Sequence, residues 1–594
     1  METLAEKAES LRKTVDINIF KGYDIRGDAQ VTAKSPKINL REEDAFLIGQ
    51  ALASSYTSKQ QTPRFLITSD HRPTSETLRL ALAHGAKDAG AKVDINGDPV
   101  PTGATSWTIL QRKDLYDIAI QITGSHNPYY NNGFKITSKQ DDEGNPDVNG
   151  FPQALYGENL KKIHRNIVED QVEKNCEGGE VNEINYVNEE YQKAMIDYFA
   201  PILPNDQKFT TPFRVVLDAG NGLGCKAVEI LRALGVEVYE MFTDLHGEFP
   251  NHPADPSKQD GIKMAQDKVR EFNSSLEPGE QPWIAAVFDG DGDRSGVIAE
   301  DGNVIYPERI LAIFYIRFLL ENKLGLQNLH AQNEHVGLAL DVRGTAVVGE
   351  LISEYHQQKK YGIVSEFIPC GYPNHRSYVR RQIEKLTRLQ DDCDVETRQQ
   401  LENIKKTYTS AEASGHFFYA TCKNVPQAMV DDGIFSAIKL LQIVDTIRDY
   451  EAKENFIAEQ ESYKIVDLFN AISWRPVSNE VRGASPYEDQ AKEDIICDIK
   501  KVIAQQKENP TQFSQKITEL IDVDGIRVVF DDNSFLLVRA SQTSPKFTYK
   551  FEAQTKERLV EVISETIEFL KSYTDQGVSL VELQEELSLQ KSSL

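Results

Sequence analysis

One local plan occurs three times in this chain, and it constrains the fold more than any other feature. An apolar run leads into an aspartate-containing turn, a helical pattern follows, and a glycine precedes a second apolar run. The first copy runs from Arg64–Ser69 through Asp70-His71-Arg72 and a helical pattern to Ala89-Gly90 and Lys92–Ile95. The second runs from Arg214–Leu217 through Asp218-Ala219-Gly220-Asn221 to Leu234-Gly235 and Val236–Val238. The third runs from Val336–Leu340 through Asp341-Val342-Arg343-Gly344 to Tyr361-Gly362 and Ile363-Val364. Short apolar runs bounded by turn residues read as buried strands. Glycine closing each helix fits a C-terminal cap. Strand–helix–strand order implies parallel strands joined by right-handed crossovers. The expected fold is therefore α/β, with three related mixed α/β domains.

The last part of the chain breaks the plan. Val523–Val538 reads as two short strands about Asp531-Asp532-Asn533, followed by the loop Arg539–Pro545, a strand, and a helix from about Lys556. A smaller α+β domain is expected there. A length of 594 residues allows about four domains of ~150 residues. The expected boundaries are 1–200, 201–315, 316–460 and 461–594. Residues 139–190, acidic and loop-rich, and 381–408, charged and helix-prone, read as additions. After Gln576 the leucines at 580, 583, 587 and 589 suit either a docked amphipathic helix or a loose tail.

Two short stretches carry chemistry. Thr123-Gly124-Ser125-His126-Asn127-Pro128 follows the apolar strand Ile118–Ile122, and Asn132, Gly133 and Lys135 are read as part of the same short loop. Sites in α/β sheets form where parallel strands end. A serine displayed there beside a lysine is suited to carry a phosphoryl group; Ser-His-Asn-Pro alone reads rather as a solvated turn, and a second, independent stretch overturns that reading. The second stretch, Asp289-Gly290-Asp291-Gly292-Asp293-Arg294, follows the strand-like Ala285–Phe288. Its donors are all oxygen, so a hard cation is expected, Mg²⁺ first. Arg294 adds a planar fork suited to phosphate. Asp289, Asp291, Asp293 and Glu300 also match positions of an EF-hand loop, but Arg294 stands where that loop needs glycine and the preceding segment reads as strand.

A net charge of −26 disfavours nucleic acid and anionic membrane as partners. The six scattered cysteines lack metal or redox spacing and read as free thiols in a reducing compartment. Met1-Glu2-Thr3-Leu4-Ala5-Glu6 lacks the apolar core of a secretory signal, and the most apolar stretch, around Ile310–Leu320, is too short to span a bilayer. A cytoplasmic location is expected.

With these parts assembled, the chain resembles the α-D-phosphohexomutases, most closely the phosphomannomutase/phosphoglucomutase group, from about Asn18 to Leu570. Thr123–Lys135 matches the family's phosphoserine loop and Asp289–Arg294 its metal loop. Glu412-Ala413-Ser414-Gly415-His416 matches the sugar loop, Arg539–Thr543 the phosphate loop, and Phe20–Gly27 the opening motif. His246-Gly247-Glu248-Phe249-Pro250-Asn251-His252 matches a stretch shared with the bispecific enzymes. The resemblance implies three related α/β domains and a TATA-binding-protein-like fourth. It also implies interconversion of hexose 1-phosphate and hexose 6-phosphate, of glucose or mannose, through phosphorylated Ser125. A hexose 1,6-bisphosphate would be intermediate and activator.

By the same resemblance, Mg²⁺ would be held by Asp289, Asp291, Asp293 and the Ser125 phosphate. Lys135 and Arg294 would neutralise charge, with Arg26 and His126 nearby. His416 and Lys135 are the candidates for proton transfer. Glu412 and Ser414 would hold sugar hydroxyls, with Tyr23 and His375 also at the substrate, while Arg539, Ser541 and Thr543 would hold the distal phosphate. Small-molecule sugar phosphates are the expected partners, with the protein a monomer or dimer. The region Cys370–Arg380 departs from the family's Gly-His loop, Gln542 replaces the usual asparagine, and Ala411 replaces a glycine. Two other readings stay open: a glucosamine or N-acetylglucosamine phosphate mutase, and a sugar-phosphate-binding regulator without turnover.

Overall fold

A computed structural model describes residues 3–594 apart from 60, 142, 173–178, 201–202, 204–207, 306–308, 312–333, 351–363, 379–380, 382–404, 413, 423–429, 454–463, 471, 487–488, 509–510 and 542–544. The chain forms two compact units, 1–337 with 375–469, and 338–374 with 470–594.

The first sheet of the first unit contains β1 (Ile25–Asp28), β2 (Arg64–Ser69), β3 (Lys92–Asn96), β4 (Ile118–Ile122), β5 (Asn131–Gln140), β6 (Phe151–Ala154) and β7 (Glu180–Ile184). Their order is β1-β5-β4-β2-β3-β7, with β6 on β5. β2 lies parallel to both β3 and β4, and β3 lies parallel to β7. Phe65, Ile67, Ile118, Ile120 and Ile122 are fully buried. The helices Glu42–Thr57 and Ser75–Asp88 belong to the same hydrophobic core.

Residues 139–190 are less of an addition than their composition suggests. They supply β6, the helix Glu158–Val168 and the edge strand β7. Leu160, Ile163 and Ile167 point this helix into the core at positions 160, 163 and 167, the spacing of one helical face.

The second sheet repeats the plan with β8 (Arg214–Asp218), β9 (Glu237–Met241), β10 (Trp283–Phe288), β11 (Ser295–Ile298) and β12 (Val304–Ile305), ordered β12-β11-β10-β8-β9. β8 is parallel to β9 and β10, and β11 returns antiparallel to β10. The chain enters the second unit along β13 (Glu334–Asp341), followed by β14 (Val364–Ile368). It returns to the first unit at His375, where β15 (Lys405–Ala411), β16 (Phe417–Cys422) and β17 (Val430–Asp431) form an antiparallel meander. The helical insertion expected over 381–408 lies for the most part outside the described residues, and its end, Lys405–Tyr408, is strand.

The aspartate shared by the three copies has one local task. Asp70, Asp218 and Asp341 each accept the backbone N–H two residues on, from Arg72 (3.0 Å), Gly220 (2.9 Å) and Arg343 (2.8 Å). This Asx turn bends the chain off the strand end without help from distant residues.

The second unit carries an antiparallel sheet of β18 (Val481–Ala484), β19 (Ile517–Ile521), β20 (Ile526–Phe530), β21 (Phe535–Ala540) and β22 (Lys546–Glu552), ordered β18-β22-β21-β20-β19. The helices Asp489–Glu508 and Lys556–Leu570 share its core. Thr555 caps the second of these helices, accepting from the Arg558 N–H at 3.2 Å. The leucine-patterned tail is docked: Val581–Ser592 is helical, Leu583 is fully buried, and Leu580 and Leu587 pack on the same core, while Leu589 stays exposed. Among the described residues no helix is long and apolar enough to cross a membrane, and Cys225, Cys370 and Cys497 are free thiols.

Candidate active site

The two loops singled out in the sequence meet in the first unit. Ser125 follows the C-terminal end of β4 and is buried, with a left-handed φ of 51°. Its N–H donates to Thr123 Oγ1 at 2.8 Å, which steers the turn, and its hydroxyl donates to Asp289 Oδ2 at 3.1 Å. His126 Nδ1 lies 3.4 Å from the same hydroxyl. Asn132, Gly133 and Lys135 are not in the loop, because β5 begins at Asn131 and pairs with both β1 and β4. That pairing gives Lys135 a rigid base. Its ammonium donates to Asp291 Oδ2 at 2.8 Å and also contacts Asp293 Oδ2.

Asp289, Asp291 and Asp293 are fully buried, and each offers an oxygen within 4.8 Å of the others. Burial, then the charges of Asp293 and Asp291, push the Asp289 carboxyl well above its ordinary range. Burial and Asp293 also press on Asp291, but the charge and hydrogen bond of Lys135, with Thr102 Oγ1 at 2.6 Å, bring it below. Asp291 Oδ1 and Asp293 Oδ1 are buried without a hydrogen-bond partner among the described residues. Three converging carboxylates with unspent oxygens fit a hard divalent cation. The EF-hand alternative fails on geometry, since the loop joins β10 to β11. Glu300 instead accepts the N–H groups of Ile465 (2.6 Å) and Val466 (3.1 Å), capping the helix Ile465–Asn470.

Residues 412–416 form the turn between β15 and β16. Glu412 N–H donates to the His416 carbonyl at 2.9 Å, and Gly415 takes a φ of 100°. Ser414 Oγ donates to Glu412 Oε2 at 2.7 Å. Arg294 pairs with His416 in a backbone bridge and donates its Nε–H to His416 Nε2 at 2.9 Å. The imidazole proton must therefore sit on Nδ1, which faces Asp293 (3.7 Å) and Asp431 (3.9 Å). Burial, reinforced by Arg294, holds His416 well below the ordinary imidazole range, and burial with Arg294 and Arg26 does the same to His126.

Arg26, on β1, donates to Asp24 Oδ2 at 2.5 Å and to the Gly124 carbonyl at 3.2 Å. Tyr23, half-buried, precedes this strand. His375 is fully buried. Its Nδ1 lies 2.9 Å from Ser410 Oγ, its Nε2 lies 3.7 Å from Glu412 Oε1, and its ring stacks on Phe418. In the second unit, Arg539 at the end of β21 is gripped by Asp524 Oδ2 (Nε 3.0 Å, Nη2 2.9 Å), and the carbonyl of the adjoining Ser541 accepts from Lys492 at 2.9 Å. Thr543 lies outside the described residues.

Models of the phosphoglucomutase/phosphomannomutase α/β/α domains I and II match residues 18–149 and 189–302, which contain the serine loop and the aspartate loop respectively. The chain belongs to the α-D-phosphohexomutase superfamily. A phosphomannomutase/phosphoglucomutase of Pseudomonas syringae pv. tomato is 27% identical over 547 residues, covering 91% of this chain and 92% of that protein. A phosphoglucomutase of Neisseria meningitidis is 28% identical over 540 residues, covering 91% and 94%. A solved phosphoglucomutase/phosphomannomutase family protein from Burkholderia thailandensis shares the fold, with a TM-score of 0.68 and 24% identity over 95% of this chain and 99% of that one.

The structure also brings to this cluster residues that the sequence motifs left out. Thr102 steadies Asp291 through its hydroxyl and its backbone N–H. Asp431, fully buried on β17, has both carboxylate oxygens unpartnered among the described residues, and burial pushes it up to about 7 against the charges of Arg376 and Lys135. Arg376 donates to Thr137 Oγ1 at 3.1 Å, two residues along β5 from Lys135. The Asp431-Asp432-Gly433 triplet ahead of a helix was the available signal: Asp432 accepts the Phe435 N–H at 2.9 Å, and Asp431 is carried into the site beside it.

Proposed function

We propose that this protein interconverts hexose 1-phosphate and hexose 6-phosphate, of glucose or mannose, through phosphorylated Ser125 and a hexose 1,6-bisphosphate. The observation that carries the reading is the Ser125 hydroxyl donating to Asp289 at 3.1 Å, inside a buried set of three carboxylates and Lys135. Asp289, Asp291 and Asp293 would hold Mg²⁺ with the Ser125 phosphate, and the ion would neutralise charge on the moving phosphoryl group. The chain's own residues do the rest. Lys135 and Arg26 place two cations around the serine. In each half-reaction the serine O–P bond breaks or forms as the opposite bond at the sugar oxygen forms or breaks. In each half-reaction the accepting hydroxyl gives up its proton and the leaving oxygen takes one up.

Arg294 covers His416 Nε2 with one hydrogen bond. A substrate phosphate that draws Arg294 away uncovers this nitrogen as the base, while Lys135 is the alternative proton donor. Glu412, tied to Ser414 and set by His375, would accept sugar hydroxyls, with Tyr23 and His126 lining the substrate. Arg539, Ser541 and Thr543 would take a phosphate, Arg539 being held ready by Asp524.

The proposed organisation is four domains at 1–200, 201–315, 316–460 and 461–594, the last TATA-binding-protein-like, in a cytoplasmic monomer or dimer. The deciding experiment is turnover of glucose, mannose, glucosamine and N-acetylglucosamine 1-phosphates with Mg²⁺ and a trace of glucose 1,6-bisphosphate. Turnover of glucose or mannose 1-phosphate that disappears in Ser125→Ala is the expected result. Absence of turnover on every sugar refutes the reading.

A further inference from the structure

The turn of the first repeat holds an arginine that the proposed chemistry does not use. Arg72 is fully buried, and every N–H of its guanidinium is committed. Nε donates to Asp70 Oδ2 at 3.0 Å. Nη1 donates to the carbonyls of Pro128 (2.7 Å) and Asn131 (3.1 Å). Nη2 donates to the carbonyls of Asn127 (2.9 Å) and Ser125. Three carbonyls of the serine loop and that of Asn131, where β5 begins, thus converge on one cation. Without it their dipoles would oppose one another in a buried space. Only a guanidinium offers five donors in a fixed plane, whereas a lysine has three on a single nitrogen. The third repeat shows what is particular to the first. Arg343 also donates its Nε–H to its own aspartate, Asp341, but turns Nη2 onto the same carboxylate and Nη1 to Glu480, so it grips carboxylates where Arg72 grips carbonyls.

The His246–His252 stretch meets this arginine. The Phe249 ring lies over the guanidinium, with its centroid 5.0 Å from Cζ, and it also packs edge-on to His71. Phe249 reaches the metal loop too. A Cβ on Gly290 would come within 3.0 Å of Phe249 Cζ and 2.8 Å of the Ser125 carbonyl. A Cβ on Gly124 would come within 2.6 Å of Arg72 Cζ. Glycine therefore stands where each loop meets the clamp. The stretch is anchored from the other side, since Asn251 donates to Asn221 Oδ1 at 2.7 Å and His252 Nε2 lies 3.1 Å from Asp218 Oδ1.

We propose that Arg72 and Phe249 are positioning residues that fix Ser125 against the aspartate loop. Arg72 holds the serine loop in its left-handed turn, and Phe249 locks that arginine to Gly290, next to Asp289. Neither residue is assigned a contact with substrate. Their effect on rate comes through the Ser125–Asp289 geometry, and this part rests on the mutase reading. A misplacement of about 1 Å at a reacting group costs on the order of 100-fold in rate.

The test uses the full-length protein with Arg72→Lys, Arg72→Ala and Phe249→Leu, read by steady-state kinetics and by hydrogen exchange over residues 123–131 and 289–294. Arg72→Lys is expected to lower kcat by roughly 10- to 100-fold with KM unchanged. Phe249→Leu, which leaves every Arg72 hydrogen bond in place, is expected to lower kcat less and to speed exchange only over those two loops. Added guanidinium ion should restore kcat in Arg72→Ala. Wild-type kcat and exchange in Arg72→Lys would overturn the proposal. So would guanidinium that restores thermal stability without kcat, or exchange that rises evenly across the first sheet. Wild-type protein inactive on every sugar phosphate would refute the mutase reading instead, and the exchange data would still decide the clamp.

Discussion

Lys135→Met gives a sharp test of how the aspartate cluster survives in the folded chain. The Lys135 ammonium is 8% exposed and stands 2.8 Å from Asp291 Oδ2, whose side chain is fully buried, and it also touches Asp293. Unit charges at 2.8 Å attract by about 6 kcal/mol at an effective dielectric of ~20. Removing the lysine also removes the cost of burying it, so the net is smaller. Breaking a buried pair by deleting one partner typically costs ~3–5 kcal/mol, because the other charge stays buried and unpaired. Methionine keeps the volume of the chain, which confines the effect to charge. Metal-free Lys135→Met protein should therefore lose about 3–5 kcal/mol.

Mg²⁺ should return much of that loss, because a cation held by Asp289, Asp291 and Asp293 supplies the missing positive charge. At ~100 times its Kd a ligand of the native state alone adds about 2.7 kcal/mol, and tighter binding in the variant adds more. The assay is urea unfolding with and without EDTA, followed by tryptophan fluorescence. Trp283 opens the strand that leads to Asp289, and it is buried. A loss below about 1 kcal/mol in EDTA, the range of a surface pair, would refute the reasoning. So would a loss of equal size with and without Mg²⁺.

Three further outcomes follow from the same structure. Glu300→Ala should speed hydrogen exchange at Ile465 and Val466, costing ~1–2 kcal/mol of local stability as a lost cap does, while Mg²⁺ affinity measured by calorimetry stays at the wild-type value. Leu583→Ala should destabilise the second unit by about 2–5 kcal/mol, seen as an earlier unfolding transition on the Trp474 side of the chain, because Leu583 is fully buried in that core. Burial opposes a charged His252, but the hydrogen bond and charge of Asp218 outweigh it and raise the imidazole above its usual range. The protonated pair therefore stabilises the fold below pH ~6.5, and that contribution disappears as pH rises through the raised value. Stability measured from pH 6 to 9 should fall more steeply in the wild type than in Asp218→Asn.

What was legible in the sequence was whatever local chemistry decides. The strands before both loops lie at Ile118–Ile122 and Trp283–Phe288 because predominantly apolar runs favour burial on both faces. Each repeated aspartate makes its turn with a backbone N–H two residues away, so its role is visible within three residues. The helix from Lys556 begins where Thr555 caps it. Ser125 and the three aspartates stood out in the sequence as two separate loops, and the fold brings them together.

Tertiary structure decided the rest, because those choices depend on partners far apart in the chain. Asn132–Lys135 reads as loop until β1 and β4 flank it and make it the strand that aims Lys135. The strand at Glu180–Ile184 buries none of its residues fully, and becomes a strand through parallel pairing with β3. Glu300 resembles a metal ligand in spacing and is turned into a helix cap by residues 165 positions away. The tautomer of His416 is set by Arg294, 122 residues distant. Arg72 looks in sequence like any charged turn residue. Only the folded chain brings four carbonyls and an aromatic ring around it, since a buried cation takes its role from the acceptors that replace its water.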